Sequence, residues 1–133
     1  MTASISDILK NSKTIAIVGA SSNPERPSHS IMGVLMRAGY KCFPINPNEE
    51  EVLGEPAYAS LDAIPTDVPI DIVNVFRRPG QTPDVAKAAA ARGAKTLWLQ
   101  QGIANDEARS IAEAAGLNYV EDSCIAVELR KLG

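Results

Sequence analysis

The chain has 133 residues, of which 45% are hydrophobic and 22% are charged, a composition typical of a soluble globular domain with a hydrophobic core. Sixteen acidic and thirteen basic residues give a formal net charge of −3, which argues against a nucleic-acid partner. No apolar run approaches the roughly 20 residues of a membrane helix, and two cysteines with one histidine exclude a disulfide framework and most histidine-based metal sites.

The first residues contain neither the basic segment nor the long apolar segment of a secretory leader. We therefore expect a cytoplasmic protein that forms a single domain over residues 1–133, with its core between about residues 13 and 128. A membrane partner is not expected, and the oligomeric state and any protein partner remain open.

Short apolar runs predict the strands. The runs at residues 14–18, 41–45, 70–76 and 95–99 are rich in β-branched and other apolar side chains. Runs that are apolar on both faces are typical of a parallel sheet covered by helices on each side. Pro44 lacks a backbone donor, so the second of these strands is expected at or near a sheet edge.

Helical patterns alternate with these strands. Ile31, Leu35 and Ala38 have the spacing of one helix face, residues 83–92 are rich in alanine, and Asn105 is a plausible N-cap for a helix ending near Gly116. Each of these helices is followed directly by a glycine and then by a strand, and glycine accepts the left-handed conformation that reverses the chain. The glycines are Gly39, Gly93 and Gly116.

The order of these elements predicts an α/β fold with a three-layer, Rossmann-like, open and mostly parallel sheet and helices on both faces. Residues 46–69 have room for a short strand at about residues 55–58 and one helical turn, but not for a full crossover helix. The sheet is therefore expected to continue on the other side of the first strand with residues 70–76. Ligands bind where the strand order reverses in this way, between the loops at residues 19–28 and 76–82.

The first of these loops leaves a strand and enters a helix, where backbone N–H groups and the helix dipole attract phosphate. Gly19, Ala20 and Ser21 let a ligand approach the backbone closely. Arg26 can add a permanently charged fork and Ser28 a hydroxyl. A plain tight turn with Arg26 in solvent is the alternative interpretation.

This loop does not carry the dinucleotide fingerprint. Ser21 and Pro24 stand where Gly-x-Gly-x-x-Gly requires glycine, and Asn46 with Pro47 replaces the acidic residue expected to hold the ribose of a nicotinamide dinucleotide. The Gly-Lys-Ser/Thr of a P-loop is also missing. The sequence therefore favours a phosphate-bearing ligand held in another way.

The second loop begins Phe76-Arg77-Arg78. Two adjacent arginines at the carboxyl end of a strand, next to a candidate phosphate loop, favour a pyrophosphate or phosphate monoester, with Phe76 available to a planar group. The alternative is that both arginines are solvated or paired with neighbouring acids.

A third segment, at residues 98–103, ends the next strand and opens onto the same edge. Trp98 is expected in the core, whereas Gln100 and Gly102 could shape the pocket. His29 is interpreted as a surface or cap residue, Cys124 as a small buried apolar residue, and the acidic cluster at residues 49–51 as a solvated turn.

Taken together, these motifs resemble the small, stand-alone CoA-binding proteins of bacteria and archaea, which are similar to the N-terminal Rossmann-type domain of the succinyl-CoA synthetase α subunit. The resemblance runs from about Lys13 to Glu128. It rests on the segments at residues 17–21, 23–28, 39–40, 44–47, 53–54, 71–79, 93–95, 98–100, 102–103 and 122–125.

The resemblance implies CoA or an acyl-CoA as the ligand and assigns roles to individual residues. Gly19, Ala20, Ser21, Arg26 and Ser28 would hold phosphates, Asn46 and Pro47 would lie beside the adenosine, and Val75, Phe76, Arg77 and Arg78 would line the nucleotide crevice. The pyrophosphate and the ribose 3′-phosphate of CoA account for three arginines and for the missing acidic residue at position 46.

The resemblance implies binding and provides no catalytic residue, because the synthetase domain that carries the phosphorylated histidine has no counterpart here. We therefore expect non-catalytic binding of CoA or an acyl-CoA. Two alternatives stay open: an enzyme or enzyme subunit acting on acyl-CoA with Cys124 or a partner supplying the chemistry, and a dinucleotide-binding regulator. Free CoA, an acyl-CoA and a CoA disulfide all fit the sequence.

Overall fold

A computed structural model describes residues 3–132 of the chain. The strands are β1 (Thr14–Val18), β2 (Lys41–Ile45), β3 (Glu51–Val52), β4 (Glu55–Pro56), β5 (Ile72–Val75), β6 (Thr96–Leu99) and β7 (Asn118–Val120). The α-helices are α1 (Ile5–Asn11), α2 (Pro27–Arg37), α3 (Thr82–Arg92), α4 (Asp106–Ala114) and α5 (Ile125–Arg130), and short 3₁₀ helices cover Leu61–Ala63 and Pro79–Gln81.

Five parallel strands form the main sheet in the order β2-β1-β5-β6-β7. Val18 is in register with Ile45 of β2 on one side and with Val75 of β5 on the other. The chain therefore builds first to one side of β1 and then to the other, which confirms the predicted reversal. This Rossmann-like α/β arrangement places the loops after β1 and β5 side by side at the carboxyl edge of the sheet.

The alternation of side chains along β1 shows why both faces of the sheet are covered. Ile15 and Ile17 pack into a core with α1, α2 and α5, whereas Ala16 and Val18 pack into a second core with α3 and α4. Trp98 is fully buried in the first core, as predicted, and its indole N–H donates to the carbonyl of Ser123 at 2.8 Å. The protein thus has three layers.

The segment between β2 and β5 contains no α-helix. β3 and β4 form a small antiparallel pair, and Tyr58 bridges to Ile45 on the outer side of β2, which is the edge strand, as predicted from Pro44. Arg92, the last residue of α3, donates hydrogen bonds to four carbonyl oxygens of this segment. They belong to Leu61, Ile64, Pro65 and Val68, at distances from 2.6 to 3.0 Å.

Two helices were not predicted from the sequence. The hydroxyl of Ser4 accepts a hydrogen bond from the amide of Asp7 and caps α1, and α5 begins directly after Cys124. Both helices are short and pack against the same face of the sheet. Within residues 3–132, no helix is long and apolar enough to cross a membrane.

Asp71 joins the amino ends of β1 and β5, and its ionisation makes stability depend on pH. The carboxylate accepts from the amides of Lys13 at 2.7 Å and Thr14 at 3.1 Å, and Lys95 lies 3.4 Å away. Burial alone would raise the pKa of Asp71, but these donors and the Lys95 charge outweigh burial and lower the pKa. The contribution of the ionised Asp71 to folding stability is present at pH values above its unfolded pKa of about 3.9. It is lost as pH falls through the lower pKa of the folded state.

Replacing Asp71 with asparagine is expected to lower the free energy of unfolding at pH 7 by about 1 kcal/mol, because charge-assisted hydrogen bonds become neutral ones. The variant should also lose less stability than the wild type between pH 5 and pH 2. Urea unfolding across this range measures both effects, with the exposed Asp67→Asn as the matched control. Parallel stability curves for wild type and Asp71→Asn would contradict the account.

Candidate functional site

A cavity of 580 Å³ lies at the carboxyl edge of the sheet, where the strand order reverses. The loops after β1 and β5 both contribute to it, and Arg26 and Arg77 therefore line the same cavity, as predicted. Its lining consists of Gly19, Ser21, Arg26, Pro27, Ser28, Ile31, Asn46, Phe76, Arg77, Gln100, Gln101, Ile103 and Cys124.

Gly19 allows the two loops to approach each other. Its φ is +90°, and a Cβ at this position would stand 3.2 Å from the carbonyl oxygen of Phe76 and 3.3 Å from its Cβ. Its amide donates to the carbonyl of Ile45 at 3.0 Å, and the amide of Phe76 donates to Val18 at 2.9 Å. A side chain at position 19 would be strained and would push the second loop away.

The first loop is held by its own polar side chains. The hydroxyl of Ser21 accepts from the amide of Asn23, and the side chain of Asn23 accepts from the amide of Glu25. Arg26 immediately precedes α2, with Pro27 in the first turn, as expected. These hydrogen bonds fix the path of the loop backbone between Ser21 and Glu25.

Glu49 contacts this loop, a contact that was not predicted, whereas Glu50 and Glu51 are exposed, as predicted for a solvated acidic cluster. The Glu49 carboxylate accepts from the Ser22 amide at 2.7 Å and from the Ser22 hydroxyl at 2.8 Å. The amide of Ser22, followed by its hydroxyl, lowers the pKa of Glu49, so the carboxylate is charged at neutral pH. Spacing could not reveal this contact because Glu49 lies in the turn that follows β2.

Asn46 connects the end of β2 to the first loop. Its Nδ2 donates to the carbonyl of Ala20 at 2.9 Å, and its Oδ1 accepts from the amide of Asn48 at 2.9 Å. The side chain is neutral and already bonded, so it adds no negative charge to the cavity.

The charges that line the cavity are positive. Arg26 is exposed and Arg77 is half-buried, and neither forms an ion pair with an acid among residues 3–132. No aspartate or glutamate of the described chain lines the cavity. Two guanidinium groups without counter-charges give the cavity a positive potential that attracts anions.

Five of the predicted site residues lie outside the cavity lining. Ala20 and Val75 are fully buried in the two cores, so their side chains cannot reach a ligand. Arg78 is exposed and directly precedes the 3₁₀ helix, and Pro47 and Gly102 are also exposed. The other predicted residues line the cavity: Gly19, Ser21, Arg26, Ser28, Asn46, Phe76, Arg77 and Gln100.

The structure adds residues that the predicted set did not contain. Ile31 lies one helical turn after Pro27 on α2, and Gln101 and Ile103 follow Gln100 after β6. Cys124 and Gln101 also border a neighbouring cavity of 340 Å³, next to Asp122, Ser123, Val127, Glu128 and Lys131. From the sequence, the segment at residues 98–103 was placed on this edge without assigning Gln101 or Ile103 to the site, and the helical spacing of Ile31 from Pro27 was the signal for Ile31.

The two cysteines differ in their surroundings. Cys42 is buried in β2, and burial, with a smaller contribution from Glu55, raises its pKa to about 12. Cys124 is half-buried and lines the cavity, which corrects its prediction as a buried apolar residue. Within residues 3–132, no group of three or more metal-ligating side chains comes together.

Comparisons with known proteins show the family and the fold of this chain. The family model for the CoA binding domain matches residues 13–130. YneT of Bacillus subtilis (strain 168) is 45% identical over 125 residues, which cover 94% of this chain and 91% of that protein. The structure of a protein from Pyrococcus horikoshii OT3 superposes with a TM-score of 0.93 at 40% identity, covering 97% of this chain and 90% of that one.

A more distant relative is part of an enzyme. The α subunit of the ADP-forming acetate–CoA ligase II of Pyrococcus furiosus is 27% identical over 130 residues, which cover 91% of this chain but 28% of that subunit. This chain thus corresponds to one part of the ligase subunit.

The fold is a Rossmann-like domain with a cavity lined by two arginines at the switch point of its sheet. The chain belongs to the CoA-binding domain family.

Proposed function

We propose that this protein binds CoA or an acyl-CoA non-covalently in the cavity at the carboxyl edge of its sheet. The observation that supports this most strongly is that Arg26 and Arg77, without acidic partners in the described chain, line one cavity in a member of the CoA-binding domain family. CoA carries a pyrophosphate and a ribose 3′-phosphate, and guanidinium groups bind phosphate oxygens through charge-assisted, often paired hydrogen bonds.

The surroundings of Asn46 favour CoA over a nicotinamide dinucleotide. Domains that bind NAD use an acidic side chain at the end of the second strand to hold the ribose hydroxyls. Here Asn46 occupies that position, and the nearby carboxylate of Glu49 is bonded to Ser22. A neutral side chain at position 46 does not repel a ribose phosphate.

Calorimetric titration with CoA, dephospho-CoA and NAD tests this proposal. CoA is expected to bind most tightly, dephospho-CoA about 10-fold more weakly because one charge-assisted contact is lost, and NAD more weakly still. The increase in the unfolding temperature that each ligand causes should follow the same order, because a ligand stabilises the folded state by mass action. Tighter binding of NAD than of CoA would instead favour a dinucleotide-binding regulator.

We further propose that the bound ligand is not chemically changed by this chain alone. Cys124 is the only nucleophilic thiol lining the cavity in the described chain, and no histidine, aspartate or glutamate lines the cavity with it. A thiol needs such a base, or a lowered pKa, to become an effective nucleophile. Turnover of an acyl-CoA by the purified protein, lost in Cys124→Ala, would contradict this part of the proposal.

A further inference from the structure

The charges in the cavity are unevenly distributed. Arg26 follows β1 and Arg77 follows β5, whereas the side chains contributed after β6 and just before α5 are uncharged. These uncharged residues are Gln100, Gln101, Ile103 and Cys124. Because β6 lies beyond β5 in the sheet, a ligand with an anionic half and an uncharged half would place its uncharged half here.

Gln100 carries a hydrogen-bond donor at this uncharged end. The side chain is only 5% exposed and lines the cavity. Its Oε1 accepts from the amide of Ile125 at 3.0 Å and from Nδ2 of Asn74 at 3.1 Å. Both partners are donors, so they fix the orientation of the amide, and Nε2 donates no hydrogen bond to the described chain. A donor in this position needs an acceptor from a ligand or from water.

Asn74 lies one layer below the cavity and holds Gln100. It is fully buried in β5, and its Oδ1 accepts no hydrogen bond within residues 3–132. A buried acceptor without a donor destabilises the fold. An apolar side chain would fill this position without that cost. The hydrogen bond from Asn74 to Gln100 therefore points to the orientation of Gln100 as the role of Asn74.

We infer that Nε2 of Gln100 donates a hydrogen bond to a neutral carbonyl oxygen in the uncharged arm of the ligand, and that Asn74 is the positioning residue that orients it. This inference rests on the function proposed above. For CoA, the acceptor is an amide carbonyl of the pantetheine arm, and for an acyl-CoA it can also be the thioester carbonyl. Gln100 thereby distinguishes ligands with this arm from nucleotides without it.

Calorimetric titration with CoA and with adenosine 3′,5′-bisphosphate, which lacks the arm, tests the inference. In Gln100→Glu, a carboxylate oxygen can still accept the two hydrogen bonds that Oε1 accepts, but the Nε2 donor is replaced by an oxygen acceptor. CoA affinity should fall by about 10-fold or more, and affinity for the bisphosphate should fall much less. Gln101 also lines the cavity but is exposed, so Gln101→Glu adds a charge to the cavity without altering the buried amide of Gln100.

Asn74→Val separates positioning from folding. CoA affinity should fall by about 3- to 10-fold, the loss of one neutral hydrogen bond, while bisphosphate affinity stays within about 2-fold. The thermal midpoint should equal or exceed that of the wild type, because the substitution also removes the unpaired Oδ1. If Asn74 had only a structural role, its replacement would lower the thermal midpoint and weaken the binding of both ligands alike.

Three results would overturn the inference: equal losses for CoA and the bisphosphate in Gln100→Glu, equal CoA losses in Gln100→Glu and Gln101→Glu, or unchanged CoA affinity in Asn74→Val. If the wild-type protein binds neither ligand, the proposed function itself fails, and this inference fails with it.

Discussion

The protein with both Arg26 and Arg77 replaced by alanine is expected to bind CoA at least about 100-fold more weakly than the wild type. Each charge-assisted hydrogen bond contributes roughly 1.5–3 kcal/mol, so each single substitution should cost roughly 10- to 150-fold. Neither guanidinium forms an ion pair in the described chain, so the fold loses no salt bridge and the variant should unfold at a temperature close to that of the wild type. Calorimetry measures the affinity for CoA. That affinity should depend less on salt concentration in the variant than in the wild type.

Arg78→Ala is the matched control for this experiment. Arg78 is adjacent to Arg77 and carries the same charge, but it is exposed and lies outside the cavity lining. Arg78→Ala should therefore weaken CoA binding by less than about 5-fold, because only long-range electrostatic attraction is lost. If Arg78→Ala and Arg77→Ala weaken CoA equally, the cavity does not select between the two arginines and the proposed site is wrong.

Replacing Arg92 with methionine is expected to lower the free energy of unfolding by about 3 kcal/mol, and the thermal midpoint by about 10 °C. The guanidinium donates to the carbonyls of Leu61, Ile64, Pro65 and Val68, in a segment with little regular structure of its own. Methionine keeps the apolar stem but removes the guanidinium donor from all four carbonyls, of which only those of Leu61 and Pro65 keep a backbone donor. Arg92→Lys should recover only part of the loss, since one ammonium cannot reproduce the fork.

Arg37→Met controls for the charge at a helix end. Arg37 also lies in the last turn of its helix, α2, and is exposed, so its loss removes a similar interaction with the helix dipole. Arg37→Met is expected to lower the free energy of unfolding by less than about 1 kcal/mol. Equal destabilisation by Arg37→Met and Arg92→Met in urea unfolding would show that the four carbonyl contacts do not stabilise the protein.

Much of the fold could be predicted because strong local signals agree with each other. Apolar runs on β1, β5 and β6 required cover on both faces, and Gly39, Gly93 and Gly116 each adopt the positive φ that was expected after a helix. The short helices α1 and α5 were missed because a pattern of six or seven residues barely repeats once around a helix. No prediction used Ser4, whose hydroxyl caps α1 in the structure.

The site was predictable at the level of loops but not of every side chain. Parallel topology dictates that the residues after β1 and β5 meet, and this brought Arg26 and Arg77 together. Whether a side chain faces the cavity or the core depends on single-residue steps of the backbone, which is why Val75 points into the core while Phe76 lines the cavity. The contact of Glu49 with Ser22 depends on the path of a turn that has no periodic pattern.

The central claim is that one cationic cavity, built from the loops after β1 and β5, receives the phosphates of CoA. A crystal structure of the protein with CoA bound tests it most directly. We expect phosphate oxygens within hydrogen-bonding distance of the guanidinium groups of both Arg26 and Arg77, with the pantetheine arm passing Gln100. A CoA molecule bound on another surface, with both guanidinium groups free, would contradict the claim.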